Sequence, residues 1–324
     1  MRIVTWSALI GAALAVAGCG GAGGTAALDS GPGGGIGGTG SVAVTAQGPI
    51  QGFGSVIVNG VEFELPDGAT VLVDGVPAAE QDLSEGMVVR ITGTYRPGET
   101  TTAGYVPGEA DEVRYDSTIR GVVTWVSGSA FEVLGRAVRV VGSTRFGDDE
   151  RPELGDFVEV SGLDEPDGGL RATFVRVIKR SGEFDPETDE VKVKGAAHTV
   201  DPEAGTFRVG DQPVRAPAGV PLPAENEVVE VRGHLQNGVL VAEAIEGGES
   251  PLPEGHEVEI SGVVNLASGT WFTLDGTEVD AADAKFEGGT AADLRPGLRV
   301  EVEGTVESGI VIAREVEIQG GEDD

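Results

Sequence analysis

Val300-Glu301-Val302-Glu303-Gly304 alternates apolar and charged residues and stops on a glycine. Period-two alternation sends the valines to one face of a strand and the glutamates to the other, so one face is buried and the other wet. The same landmark, apolar residues four and two places before a glycine, recurs at Val89/Ile91/Gly93, Val158/Val160/Gly162 and Val229/Val231/Gly233. Seven residues before each of these glycines stand Gly86, Gly155, Asn226 and Gly297. Asn replacing Gly at one of four equivalent sites predicts a turn that needs positive φ, which those two residue types tolerate best.

Outward from this strand, the surrounding sequence repeats as well. Each unit opens on a β-branched residue, a spacer and a glycine: Ile50-Gln51-Gly52, Ile119-Arg120-Gly121, Val193-Lys194-Gly195 and Ile260-Ser261-Gly262. These glycines lie 69, 74 and 67 residues apart. Each unit closes on an alanine followed three places later by a β-branched residue: Ala110/Val113, Ala172/Val175, Ala242/Ile245 and Ala313/Val316. Between these ends lie a second strand and a turn, as in Val56-Ile57-Val58-Asn59-Gly60 or Phe131-Glu132-Val133-Leu134-Gly135, and then a third strand. A recurring unit of this kind outweighs any single motif. No stretch within the units carries a helical stripe, so the fold class is all-β. Five short strands with one buried face most economically close into a small barrel. The strand count and the long link before the fourth strand resemble an OB-fold, with a small β-sandwich as the rival arrangement.

The run Gly48-Pro49-Ile50-Gln51-Gly52-Phe53-Gly54-Ser55-Val56-Ile57-Val58-Asn59-Gly60-Val61-Glu62-Phe63, followed by Asp82-Leu83-Ser84-Glu85-Gly86-Met87-Val88-Val89-Arg90-Ile91-Thr92-Gly93, resembles a bacterial envelope repeat family catalogued as domain of unknown function 5666. The resemblance is strongest in the first unit. It is weakest in the third, where Pro223 and Asn226 stand for the Leu and Gly of the turn. It implies four tandem OB-like barrels on an envelope protein and brings no catalytic residues.

The chain is expected to divide into a signal peptide (1–18), a tether (19–45) and four repeats at 46–117, 118–183, 191–250 and 257–321. Arg2 and the short apolar run from Trp6 to Ala17 form the signal peptide, a run too short to remain as a membrane span. Val16-Ala17-Gly18-Cys19 looks like a lipobox, with an ordinary signal peptide and a chance cysteine as the alternative. Cys19 is the only cysteine in 324 residues. It is the expected lipidation site, where two or three acyl chains would anchor the protein stably. Gly20 after it fits outer-membrane sorting. The Gly-rich residues that follow are expected to form a flexible tether. A lone lipidated cysteine leaves no disulfide and no thiolate metal site, so the barrels must hold together by apolar packing.

The formal charge of −32, from 22 basic and 54 acidic residues, repels phosphate backbones, so no nucleic-acid partner is expected. His198, His234 and His256 stand apart, without a second ligand at metal spacing. The clusters Asp148-Asp149-Glu150 and Asp185-Pro186-Glu187-Thr188-Asp189-Glu190 lack the glycine turn and alternating ligands of an EF-hand, and read as solvated linkers or Ca²⁺-binding loops. No cofactor, metal site or enzymatic activity is expected.

Two features stand out from this background. All three tyrosines (Tyr95, Tyr105, Tyr115) fall in the last hairpin of repeat one, where Gly93 and Ala110 are 17 residues apart against 10, 9 and 9 in the later repeats. Tyr115 aligns with Ile318 and is expected in the core; Tyr95, Arg96 and Tyr105 are the exposed candidates for holding a sugar. Repeat two (118–183) carries nine basic and eleven acidic residues, against four and thirteen in repeat four (257–321). Alternation turns Arg120, Arg139 and Arg176 outward, toward an anionic glycan or phosphate headgroup, or toward local carboxylates and an acidic neighbouring repeat. The expected function is a non-enzymatic envelope spacer or adaptor for another envelope protein, with carbohydrate or anionic-polymer binding through repeats one and two as the alternative. Pro-containing linkers near 184–190 and 247–256 are expected to restrict motion between barrels only in part.

Overall fold

The computed structural model describes residues 40–247, 251–274 and 276–319. The expected signal peptide, the expected lipidation site Cys19 and residues 20–39 of the expected tether therefore lie outside the described residues. The first strand begins at Val42, so the last residues assigned to the tether already belong to repeat one.

Repeat one contains β1 (Val42–Pro49), β2 (Val56–Val58), β3 (Val61–Glu64), a small extra hairpin of β4 (Thr70–Val73) and β5 (Val76–Ala78), then β6 (Val88–Tyr95) and β7 (Val106–Tyr115). Repeat two follows as β8 (Ile119–Ser127), β9 (Ala130–Val133), β10 (Arg136–Phe146), β11 (Phe157–Asp164) and β12 (Leu170–Lys179). Repeat three has β13 (Val191–Asp201), β14 (Thr206–Val209), β15 (Gln212–Arg215), β16 (Val228–Gln236) and β17 (Val239–Gly247). Repeat four has β18 (Glu257–Ser268), β19 (Trp271–Leu274), β20 (Thr277–Asp280), a short β21 (Lys285–Glu287), β22 (Arg299–Glu307) and β23 (Ile310–Ile318).

In repeat two the strands close in the order β8-β9-β10-β12-β11 and back to β8, with β10 and β12 parallel and the other pairs antiparallel. Repeats three and four close in the same order. In repeat one the ring closes just past β1, where Gly52 bridges to Ile57 of β2 and the Gln51 amide donates to the Ile57 carbonyl at 2.8 Å. This closed ring is the OB-like barrel, and it excludes the two-sheet sandwich.

The glycine landmarks have local causes. Gly86, Gly155, Asn226 and Gly297 all have positive φ, as the Gly/Asn exchange predicts. At Gly93, Gly162, Gly233 and Gly304 the last hairpin of each barrel shifts register by one residue. A Cβ there would overlap the carbonyl of the partner strand, at Glu109, Arg171, Val241 and Ile312 respectively. The glycine and the closing alanine are thus two sides of one β-bulge, which bends the hairpin around the barrel.

The four barrels do not stand as separate beads. Repeats two and three join through β8 and β13, which pair antiparallel with Ile119 opposite Val193. Both residues point inward, and a single apolar cluster runs through both barrels. Repeats one and four join through β1 and β18, which pair parallel. Here Val44 and Ala46, in the core of repeat one, sit beside Glu257 and Glu259, while Thr45 and Gln47 sit beside Val258 and Ile260 of the repeat-four core. The two cores therefore lie on opposite faces of one continuous sheet. Phe174 of repeat two, 1% exposed, packs into the core of repeat one. The linker before repeat three is docked as well: Phe184 stacks on Phe157 with ring centroids 5.1 Å apart, and Lys179 holds Asp189 at 2.6 Å.

Candidate functional site

The most concentrated polar chemistry lies where repeats one, two and three meet. Asp74 occupies the turn between β4 and β5 with φ of 48°. Its carboxylate accepts hydrogen bonds from the backbone and hydroxyl of Ser117 at 2.9 and 3.0 Å. It also ion-pairs with Arg120 of β8 and with Lys192 of β13, the latter at 2.9 Å. Lys192 is 1% exposed, and its ammonium reaches Glu230 of β16 at 2.9 Å on its other side. Glu159 of β11 accepts from the Tyr115 hydroxyl at 3.1 Å and from Arg176 at 2.9 Å.

Burial opposes ionisation of Asp74, but Lys192 and Arg120 beside it, with hydrogen bonds from Lys192 and Ser117, hold its carboxyl below the usual carboxylate range. Burial pushes the Tyr115 phenol well above its ordinary value, and the neighbouring Glu159 and Asp74 push it further. Tyr115 is thus a neutral donor to a charged acceptor, the arrangement that binds most firmly away from water.

This placement answers most of the expectations about site residues. Arg120 and Arg176 do leave their strands on the outward face, and that face is where repeat one docks. Arg120 is taken by Asp74 and Arg176 by Glu159. Arg139 pairs with Glu165, which also holds Arg171 at 3.2 Å. Tyr115 is fully buried, as the alignment with Ile318 predicts. Tyr95 departs from expectation: it is 6% exposed, packed in the core of repeat one beside repeat four. Burial raises its phenol, with Glu259 and Glu257 contributing after it. Only Arg96 and Tyr105 remain on the outer part of the long hairpin, Arg96 exposed and paired with Glu99 at 3.5 Å, Tyr105 half-buried.

The acidic clusters are largely used as turn caps and ion-pair partners. Asp185 accepts the Glu187 amide at 2.9 Å, Asp189 accepts the Asp185 amide at 2.8 Å, and Glu150 pairs with Arg180 at 2.5 Å. Among the described residues no group of three or more His, Cys, Asp or Glu side chains is placed to hold a metal ion. His198 lies 2.7 Å from the Gly210 carbonyl and His234 3.1 Å from Glu243. No helix among the described residues is long and apolar enough to cross a membrane.

Sequence reasoning missed Asp74, Glu159 and Lys192 as members of the junction. A signal for Lys192 exists: it and Lys194 are two of only four lysines in the chain, on one strand of an otherwise arginine-using protein. A second clamp was equally hidden. Arg136, 3% exposed, donates to the Lys194 carbonyl of repeat three at 2.5 Å and to Asp164 and the Gly169 carbonyl of repeat two at 2.8 and 2.9 Å. Beside the junction runs a polar cleft of about 280 Å³, where Arg90, Arg114, Lys194 and Arg232 face Asp116, Asp164, Glu230 and Glu246.

Fold and junction together define a tandem array of OB-like barrels locked by buried ion pairs. The family model of the domain of unknown function (DUF5666) matches residues 43–106, 120–176, 187–246 and 261–317, one match per barrel. The chain belongs to that family. No curated protein and no solved structure matches it.

Proposed function

We propose that this chain is a non-enzymatic envelope lipoprotein, a stiff spacer or adaptor held at the outer membrane through Cys19. The observation that carries the reading is the ion-pair set around Asp74, which ties residues from three barrels together. Arginines that could have met an external anion are turned instead to internal carboxylates. A protein selected to hold a partner at a fixed distance gains from such joints, because relative motion of domains is otherwise the default. The first hairpins of repeats two and four also leave Trp125 and Trp271 about half exposed, and tryptophans are over-represented among residues that carry protein interfaces.

Fractionation tests the anchor. Cys19→Ser should move the protein from membranes to the soluble fraction; a variant that still pellets and resists salt extraction contradicts the lipoprotein reading. Carbohydrate or anionic-polymer binding is the second reading, kept because Tyr105 and Arg96 stay accessible on the long hairpin. A panel of envelope glycans separates the two. Binding that weakens by about 1–3 kcal/mol in Tyr105→Ala, with stability unchanged, favours the sugar site. An empty panel leaves the spacer.

A further inference from the structure

A second cleft, of about 140 Å³, lies where repeats one, two and four meet, and its lining inverts the charge of the molecule. Acids outnumber bases 54 to 22 in the chain. Yet the described residues lining this cleft include three arginines, Arg145, Arg171 and Arg299, and no carboxylate. We propose that this cleft binds one phosphoryl-type oxyanion, either free or as the terminal group of a phosphomonoester.

The walls are preformed. The register of β10 against β12 shifts between Val140 and Arg145, which lifts residues 141–144 out of the ladder and opens the cleft. The lifted segment is pinned by Thr144, whose hydroxyl accepts from the Val141 amide at 2.9 Å and donates to the Ala172 carbonyl at 2.6 Å. On the other side Gly86 of repeat one packs so closely on the Thr173 carbonyl and Arg145 that no Cβ fits. The floor includes Ile50 and Leu163, 2% and 1% exposed, and an apolar floor strengthens any charge interaction above it.

The cations suit an oxyanion. Arg171, with its side chain 9% exposed, is oriented by Glu165, which meets its Nε. Arg145 pairs with Glu85 at 3.2 Å, but both side chains are about half exposed, so water already screens that pair and a bound anion competes with it. Guanidinium forks match tetrahedral oxyanions with paired hydrogen bonds, which lysine cannot do. Size restricts the ligand to one such group, since pockets for organic molecules begin near ~300 Å³. The surrounding negative field disfavours anions of higher charge, such as polyphosphates.

The test uses the full chain carrying Cys19→Ser, so that no acyl group contributes. Calorimetric titration with inorganic phosphate at fixed ionic strength should give saturable one-to-one binding with Kd on the order of 1 mM or below. Vesicles of phosphatidylcholine with and without phosphatidic acid form the second arm and distinguish a lipid headgroup from the free ion. Arg145→Gln with Arg299→Gln should weaken whichever binding is found at least tenfold. Arg114→Gln with Arg232→Gln, in the other cleft, should leave it unchanged. If the first pair fails to fold, Arg145→Gln alone carries the test, its side chain being 56% exposed. Binding of neither phosphate nor phosphatidic acid, or equal binding by wild type and the Arg145 variant, overturns the proposal.

Discussion

The two seams of this molecule use the same kind of strand and produce opposite results. At the antiparallel seam of β8 and β13, inward residues oppose inward residues, and repeats two and three share one apolar core. At the parallel seam of β1 and β18, the register is offset so that core residues of one barrel sit beside outward residues of the other. Repeats one and four therefore keep separate cores. The offset also buries polar groups that would otherwise be wet. The Thr45 hydroxyl and one carboxylate oxygen of Glu259 are buried with no hydrogen-bond partner among the described residues. A one-residue change of register moves every side chain to the other face, so a seam decides whether two barrels merge or merely touch.

The seams differ in charge as well. Beside the first, Arg120, Lys192, Asp74, Glu159 and Glu230 alternate in sign. Beside the second, Glu259, Glu303 and Glu315 lie in register on three neighbouring strands, with Glu301 opposite Glu317 two residues along and the half-exposed Arg314 pairing with Glu257 and Glu303. Burial, then the neighbouring Glu303 and Glu301, pushes the Glu259 carboxyl up to about 8. Burial, Glu317 and Glu303 push Glu301 up to about 7.

The largest expected effect comes from breaking the shared core. Val193→Asp puts a charge at a fully buried position in the middle of both barrels. It should cost about 4 kcal/mol or more and expose the amides of β8 and β13 to hydrogen exchange together. Loss of protection in repeat three alone would mean that the two barrels have separate cores after all.

Removing the ionic lock comes next. Asp74→Ala leaves Lys192 and Arg120 short of a counter-charge in a poorly solvated place and should destabilise by about 3 kcal/mol, as other broken buried pairs do. Denaturant unfolding measures it. A loss under about 0.5 kcal/mol would return Asp74 to the status of a surface ion pair.

Proton linkage gives a smaller effect of opposite sign at the other seam. The folded-state values of Glu259 and Glu301 lie above the ordinary carboxyl value of 4.5, so folding favours their protonated forms. That stability is full below about pH 4.5 and is lost as pH rises through about 7 for Glu301 and about 8 for Glu259. Glu259→Gln should therefore stabilise the protein at pH 8.5 by about 1–3 kcal/mol and do almost nothing at pH 4.5. A variant equally stable to wild type at both pH values would show that Glu259 finds solvent or a counter-charge. The smallest effect is that of salt. Raising NaCl from about 0.05 to 1 M should slow exchange in β22 more than in β11, since repeat four has thirteen acidic residues against four basic and repeat two eleven against nine.

Much of the fold could be read from residues. The alternation at Val300-Glu301-Val302-Glu303, the glycine that ends it and the Gly/Asn turn before it describe local geometry, and local geometry survives assembly. The seams could not be read, because an outward residue alternates identically whether it meets water or another barrel. Lys192 and Glu259 look like ordinary surface residues for that reason. The inner place of Tyr95 is legible in the alternation rather than in the length of the hairpin: carried two places past Gly93, the parity of Val89 and Ile91 puts it on the inner face. Asp74 sits in a hairpin that the other repeats lack, so no repeat comparison pointed to it.

Hydrogen exchange of the intact protein tests the central claim most directly, because it reads each seam without cutting the chain. The structure predicts that β8 through β12 and β13 through β17 open with one common free energy, set by their shared core. Repeat four, with a core of its own, should open separately and at lower free energy above about pH 8. If repeats two and three open independently while repeats one and four open as one, the assignment of merged and separate cores is reversed and the account fails.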